Sequence, residues 1–214
     1  MADVNPEQFI ITKKRKKYKF ALFANSPICF ELDEWKQRAV DVVEIGAGTG
    51  LFSVELATRY PDKYFVAVDV KADRLQKGAR EATQRGLTNI SFIRARVEDQ
   101  LPTIFKKHLV QSIWITFPDP FPKKRSASRR LSHPQFLKLY ARLLKLDGAL
   151  YLKHDNHNFF NWSLEQLLEE KWHIDELSFD LHNSELLDDY KIMTTYETRW
   201  ISEGLTTNFV KAHH

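Results

Sequence analysis

The ten residues Asp41-Val42-Val43-Glu44-Ile45-Gly46-Ala47-Gly48-Thr49-Gly50 constrain the fold more than any other part of the chain. A short apolar run enters three glycines, and Leu51, Val54, Leu56 and Ala57 then recur at helical spacing. The chain has only seven glycines, so three in five positions is a concentration that asks for a reason. Glycine at a strand-to-helix turn permits a tight backbone and lets a ligand approach the main chain closely. A second apolar run, Tyr64-Phe65-Val66-Ala67-Val68, ends in Asp69, nineteen residues after Gly50. A carboxylate there is placed to accept hydrogen bonds from a ribose. This order predicts a parallel α/β sheet that binds a nucleoside-like ligand beyond its strand ends.

The rest of the chain continues the alternation. Strands are expected at 41–46, 64–69, 90–94, 111–116 and 149–153, and helices at 50–60, 72–85, 98–107 and 159–170. A further helix opens at Ser132-His133-Pro134-Gln135, read as a capping box, and closes at Gly148. Segments 173–180 and 191–200, followed by a turn at Glu203-Gly204, read as strands with a terminal hairpin. The expected fold is α/β: one Rossmann-like domain over 20–212, a mainly parallel sheet with helices on both faces, and a C-terminal antiparallel hairpin. Residues 1–19 form a polar basic arm, and His213-His214 read as the remnant of an expression tag.

The segment Ile115-Thr116-Phe117-Pro118-Asp119-Pro120-Phe121-Pro122-Lys123-Lys124-Arg125 locates the chemistry. Three of the chain's eight prolines lie between 118 and 122, so the loop after the strand is stiff and holds Asp119 in one place. Five of the eight residues from Lys123 to Arg130 are basic and none is acidic. Six of the seven from Lys13 to Lys19 are basic as well. A rigid carboxylate beside clustered cations points to chemistry on a polyanion, in keeping with a formal net charge of +4. The single cysteine, Cys29, excludes an internal disulfide and a multi-cysteine metal site and reads as a buried small residue. No His/Cys/Asp cluster has metal-ligand spacing, and no metal is expected. The N-terminus carries Asp3 and Glu7 and no early apolar run, which predicts a cytosolic protein without a signal peptide or membrane anchor.

The glycine turn admits two ligands. A dinucleotide fingerprint is G-x-G-x-x-G; here position 51 is Leu and the third glycine comes one residue early. With Glu44 two residues before Gly46, the E-x-G-x-G-x-G form resembles the first motif of class I S-adenosylmethionine-dependent methyltransferases. Four further segments add to it: Phe117 to Arg125 with Arg129-Arg130-Leu131, Lys153-His154-Asp155-Asn156, Asp180-Leu181-His182-Asn183-Ser184, and Met193-Thr194-Thr195-Tyr196-Glu197. Together they resemble the bacterial tRNA (guanine-N7)-methyltransferases over residues 41–205. The resemblance implies S-adenosyl-L-methionine as cofactor and tRNA as partner, with Asp119 as the catalytic residue. Cofactor contacts would come from Glu44, Gly46, Gly48, Gly50, Asp69, Arg96, Val97 and Asp119. Substrate contacts would come from Lys123, Asp155, Thr194, Thr195, Tyr196 and Glu197. Three features depart from the family's usual pattern: Phe121 replaces a tryptophan, Ser126 and Ser128 replace a histidine and a lysine, and Arg96 stands where an acidic residue is expected near the adenine. Either Glu98 or the main chain at Arg96 and Val97 would then read the adenine. Two other functions fit the residues less well. A methyltransferase of small molecules or proteins has no phosphates to meet the basic clusters, and an inactive tRNA-binding module has no need of an intact cofactor motif.

Overall fold

The computed structural model describes residues 14–105 and 109–214, with the side chains at 14–18, 98, 99, 195, 196, 199 and 202 excepted. The chain forms two compact units, Met1–Ile104 and Phe105–His214.

The first unit runs α1 (Lys14–Ala24), β1 (Cys29–Glu31), β2 (Val42–Ile45), α2 (Leu51–Arg59), β3 (Phe65–Asp69), α3 (Ala72–Gln84), β4 (Ile90–Arg94) and α4 (Val97–Ile104). Its strands are all parallel in the order β1-β4-β3-β2. The register sets Glu44 opposite Ala67 and Asp69 opposite Arg94, so the chemistry-bearing residues collect at one end. Every residue of β2 and β3 is buried. That is the pattern of a parallel sheet covered on both faces, and it explains why these strands read as continuous apolar runs. Phe52, Val54, Leu56 and Ala57 of α2 and Leu75, Ala79 and Ala82 of α3 supply the buried helical faces.

Residues 14–24 are one helix, α1, which runs through the boundary expected at residue 19. Its C-terminal half is anchored by buried Ala21 and Phe23. Of the expected arm, residues 1–13 lie outside the described residues, as do the side chains of 14–18.

The second unit contains β5 (Val110–Thr116), a 3-10 turn (Lys124–Arg129), α5 (Pro134–Leu143), β6 (Leu144–His154), α6 (His157–Glu169), β7 (His173–Ser178), a second 3-10 turn (Leu181–Asn183), α7 (Thr195–Ser202) and β8 (Asn208–His213). The strand order is β5-β6-β8-β7, with β5 and β6 parallel and the β6-β8 and β8-β7 pairs antiparallel. The expected α/β alternation and the antiparallel close are both present.

Three local expectations change. The helix that opens near Ser132 is capped by His133, whose Nδ1 accepts from the Gln135 N–H at 3.4 Å, while Ser132 Oγ is hydrogen-bonded to Ser163 Oγ at 2.7 Å. Gly148 does not end that helix: β6 starts at Leu144, directly after α5, and Gly148 lies inside the strand. The predicted strand at 191–200 is replaced by a helix, and the antiparallel partner of β7 is β8. The cause is a capping box at Thr194-Thr195-Tyr196-Glu197. The Glu197 N–H donates to Thr194 Oγ1 (3.1 Å), and the Thr194 N–H donates to Glu197 Oε2 (3.0 Å). The β-branched and aromatic residues Ile192, Thr194, Thr195 and Tyr196 mimic a strand in sequence. His213, read as a tag residue, is the last residue of β8, pairs with His173 and lies 2.7 Å from Asp175 Oδ1.

Candidate active site

In the first unit the glycine turn is held by its own backbone. The Gly46 and Ala47 N–H groups donate to Val68 O at 2.9 and 3.0 Å, and the Gly50 N–H to Ala47 O at 2.8 Å. Gly46, Gly48 and Gly50 have φ of 70°, 57° and 69°, the left-handed region that side chains resist. Their surroundings differ. A Cβ on Gly50 would meet Phe92 Cε1 at 2.7 Å, so this glycine serves close packing. A Cβ on Gly48 would meet nothing within 4 Å, so here the bare main chain faces open space, as a ligand cradle must. Gly78 is a site residue that sequence reasoning missed. A Cβ there would sit 2.2 Å from Thr49 O, so α3 can lie against the turn only because residue 78 is glycine.

Two buried carboxylates brace this turn. Glu44 is 1% exposed, and its Oε2 accepts from Ser53 Oγ at 2.6 Å and from the Ser53 N–H at 3.3 Å, in the first turn of α2. Asp69 is 8% exposed; Oδ2 accepts from the Gly48 N–H (2.9 Å) and Oδ1 from the Lys71 N–H (2.8 Å). Burial pushes the Asp69 carboxyl up, and the Gly48 and Lys71 amides pull it partway back. Each carboxylate oxygen can accept a second hydrogen bond, so Asp69 retains capacity for two ribose hydroxyls. Arg96 is exposed, its N–H donates to Gln100 Oε1 at 2.6 Å, and the Val97 side chain is buried. The Arg96 amide is thus engaged within the fold. The alternative adenine contact, Glu98, has its side chain outside the described residues. The set fits S-adenosylmethionine: an open glycine at the turn, with a carboxylate at the end of the next strand. Cys29 is buried, as expected, and burial pushes its thiol up to about 12.

The second unit holds Asp119, and its loop is tied at nearly every residue but that one. The Phe117 N–H donates to Lys153 O at 2.9 Å. Pro118 O is 3.0 Å from His154 Nε2. His154 Nδ1 accepts from the Asn156 N–H at 2.8 Å, which makes Nε2 the protonated nitrogen. His154 is buried, and burial pulls its pKa below the ordinary histidine value, against the opposing pull of the Asp155 carboxylate 3.3 Å from Nδ1. Pro120 O and Phe121 O accept from the Arg130 guanidinium. Phe117 and Phe121 have φ of 48° and 40°. A left-handed non-glycine residue costs roughly 1–2 kcal/mol, and two of them bracket Asp119. Asp119 itself is exposed and has no hydrogen bond or ion pair among the described residues. Lys123, Lys124, Arg125 and Arg129 are exposed beside it, and Asp155 is half-buried at the end of β6.

Glu197 behaves differently from what the motif resemblance implies. It is fully buried, and its carboxylate accepts from Lys153 Nζ (2.9 Å), His182 Nε2 (2.8 Å) and the Thr194 N–H (3.0 Å). Burial alone would raise its pKa, but the His182 hydrogen bond, the Lys153 ammonium and the Thr194 amide together hold it below the usual carboxylate range. Lys153, also fully buried, donates in addition to Ile192 O at 2.9 Å. This network joins β6 to the start of α7. In this structure the oxygens of Glu197 are occupied and hidden, so the residue expected as a substrate contact serves the scaffold here. Thr194 is buried in the same cap, and the side chains of Thr195 and Tyr196 lie outside the described residues. Lys153 and His182 were missed as partners. The capping-box spacing Thr194-x-x-Glu197 was the available signal for the turn, but nothing local announces a lysine 44 residues away.

Comparison with known proteins decides the family. Residues 38–209 match the model of a family described as "Putative methyltransferase". A tRNA (guanine-N(7)-)-methyltransferase of Brevibacillus brevis is 36% identical over 189 residues, 86% of this chain and 87% of that protein. One from Mesomycoplasma hyopneumoniae is 39% identical over 171 residues, 80% of this chain and 84% of that protein. The chain belongs to the tRNA (guanine-N(7)-)-methyltransferase family. Among solved structures, a 16S rRNA methyltransferase, KamB, superposes with a TM-score of 0.62 at 16% identity, covering 82% of this chain and 87% of that one. That likeness shows the class I methyltransferase fold, as the glycine turn and strand order imply. Family membership makes the protein a methyltransferase that uses S-adenosylmethionine.

Proposed function

We propose that this enzyme transfers the methyl group of S-adenosylmethionine to N7 of a guanine in the variable loop of tRNA. One observation carries the assignment of the reacting residue: Asp119 is exposed and without a hydrogen bond or ion pair among the described residues, in a loop where Phe117, Pro118, Pro120 and Phe121 are tied. Such a group is preorganised toward a ligand and not toward the fold.

When bound, S-adenosylmethionine supplies an electrophilic methyl on a sulfonium. Gly46, Gly48 and Gly50 would offer it bare main chain, Glu44 would stand toward its amino-acid end, and Asp69 would take its ribose hydroxyls. The region of Arg96 and Val97 would border the adenine. Guanine N7 carries a lone pair and no proton, so attack needs no general base. As the N7–carbon bond forms the sulfur–methyl bond would break, the sulfur leaving as a neutral thioether and the positive charge passing to the purine. Asp119 would accept hydrogen bonds from the guanine edge and stabilise that charge, and Asp155 would border the base. Lys123 and its neighbours would meet backbone phosphates, which position the RNA without reading its sequence. A base in a loop can be turned out of its stack at modest cost, which favours the variable loop as target. A tRNA substrate supports a cytoplasmic location.

The test is direct. Protein, labelled S-adenosylmethionine and unmodified tRNA are incubated, the RNA is digested, and the labelled nucleoside is identified. The expected product is 7-methylguanosine. A methyl on carbon, ribose or an exocyclic amine would contradict the mechanism, because those positions require different proton chemistry.

A further inference from the structure

We propose that Arg130 is a positioning residue for Asp119, and not one of the cations that meet phosphate. The inference rests on the reading of Asp119 given above. In sequence Arg130 belongs to the basic run that begins at Lys123, and its charge suggests the same job as its neighbours. In the fold its donors point inward. Nε lies 3.0 Å from Pro120 O and 3.4 Å from Phe121 O, and Nη2 lies 3.1 Å from Phe121 O. The guanidinium lies over the Trp162 ring, 4.3 Å from its centroid. Trp162 is itself seated among aromatic rings, with Phe159 and His133 centroids at 6.4 and 6.5 Å. Arg130 is therefore half-buried, whereas Lys123, Lys124, Arg125 and Arg129 are exposed.

The two carbonyls it holds are those immediately after Asp119. One belongs to Phe121, whose φ of 40° a free chain would not keep. A strained residue persists only where its surroundings over-determine it, and the guanidinium fork on Pro120 O and Phe121 O supplies that determination. His154 Nε2 on Pro118 O does the same on the other side. Asp119 thus stands between two tethers, neither of which touches its carboxylate. The tether needs the shape of arginine. Lysine keeps the charge but offers a point donor, with no fork to span two carbonyls and no flat face for an indole.

Arg130→Lys, Arg130→Ala and Trp162→Leu should be compared with wild type by steady-state kinetics on unmodified tRNA, by tRNA affinity at several salt concentrations, and by thermal unfolding. Arg130→Lys should lower kcat tenfold or more, leaving tRNA affinity and its salt slope within twofold of wild type. Trp162→Leu should lower kcat in the same way and to a smaller extent. Guanidinium ion added to Arg130→Ala should restore part of kcat. Lys124→Ala, which removes an exposed cation, should instead raise KM for tRNA and flatten the salt slope. Wild-type kcat in Arg130→Lys, or a flattened salt slope with intact kcat, would overturn the proposal. Should both Arg130 variants unfold, Trp162→Leu decides, and a normal kcat there would overturn it. A failure of the functional reading looks different, since wild type itself would then yield no 7-methylguanosine.

Discussion

The two units use carboxylates in opposite ways. In the first, Glu44 and Asp69 are buried and bonded to Ser53, Gly48 and Lys71, so the acids that would hold the methyl donor also build the turn around it. In the second, Asp119 is exposed and has no partner among the described residues, and the bracing is done by Arg130, His154 and two left-handed phenylalanines. The difference teaches that a donor site, which binds the same small molecule in every turnover, can share its ligands with the scaffold. A residue that must act on charge developing in a transition state is kept out of ground-state hydrogen bonds and fixed through its backbone.

Four changes would break or sharpen this contrast. The largest effect is expected on stability in the second unit. Glu197→Gln leaves the buried Lys153 ammonium without its carboxylate, a change that costs about 3–5 kcal/mol. The pH dependence has a definite sign. The folded pKa of Glu197 is depressed, so its contribution is present above the unfolded carboxylate value and is lost as pH falls through the folded one. The gap between Glu197→Gln and wild type in chemical denaturation should be widest at neutral pH and close in acid, below the ordinary carboxylate range. A gap that is constant with pH would remove the charge from the argument.

The next effect concerns the first unit. Asp69→Ala should weaken S-adenosylmethionine at least tenfold by calorimetry, corresponding to loss of a charge-assisted hydrogen bond worth about 1.5–3 kcal/mol. It should also loosen the glycine turn, because the Gly48 amide loses its acceptor. Unchanged affinity would refute the ribose assignment. Gly78→Ala should follow with a smaller effect, a weaker cofactor affinity from pushing α3 off the turn, since its Cβ would collide with Thr49 O. The smallest effect is expected from exchanging the six cations between Lys13 and Lys19 for Gln. That exchange should weaken tRNA binding and flatten its salt slope with cofactor affinity intact; an unchanged slope would make these cations solvated charges with no part in tRNA binding.

From Val42 onward the first unit was legible in the sequence because its signals are local, whereas α1 and β1 were not expected. Glycines of unusual backbone, a fully buried apolar run and a terminal acid announce themselves within a few residues. Asp119 was legible for the same reason, through its prolines. The second unit hid more. Phe117 and Phe121 carry no mark of positive φ, because that conformation is imposed by Lys153, Arg130 and the loop's other ties. Glu197 resembled a ligand because its partners, Lys153 and His182, are brought to it only by the fold. The helix at 195–202 was masked by residues that favour strands, although the capping box at Thr194 and Glu197 was visible. Arg130 looked like its neighbours because charge can be read from sequence and direction cannot.

The account turns on Asp119 acting at the transition state, and Asp119→Asn tests that most directly. The measurement is a single-turnover rate of methyl transfer to unmodified tRNA, taken beside equilibrium affinities for tRNA and for S-adenosylmethionine. The predicted result is a rate lower by on the order of 100-fold or more, with both affinities within a few-fold of wild type. A normal single-turnover rate accompanied by loss of tRNA affinity would contradict it and make Asp119 a binding residue only.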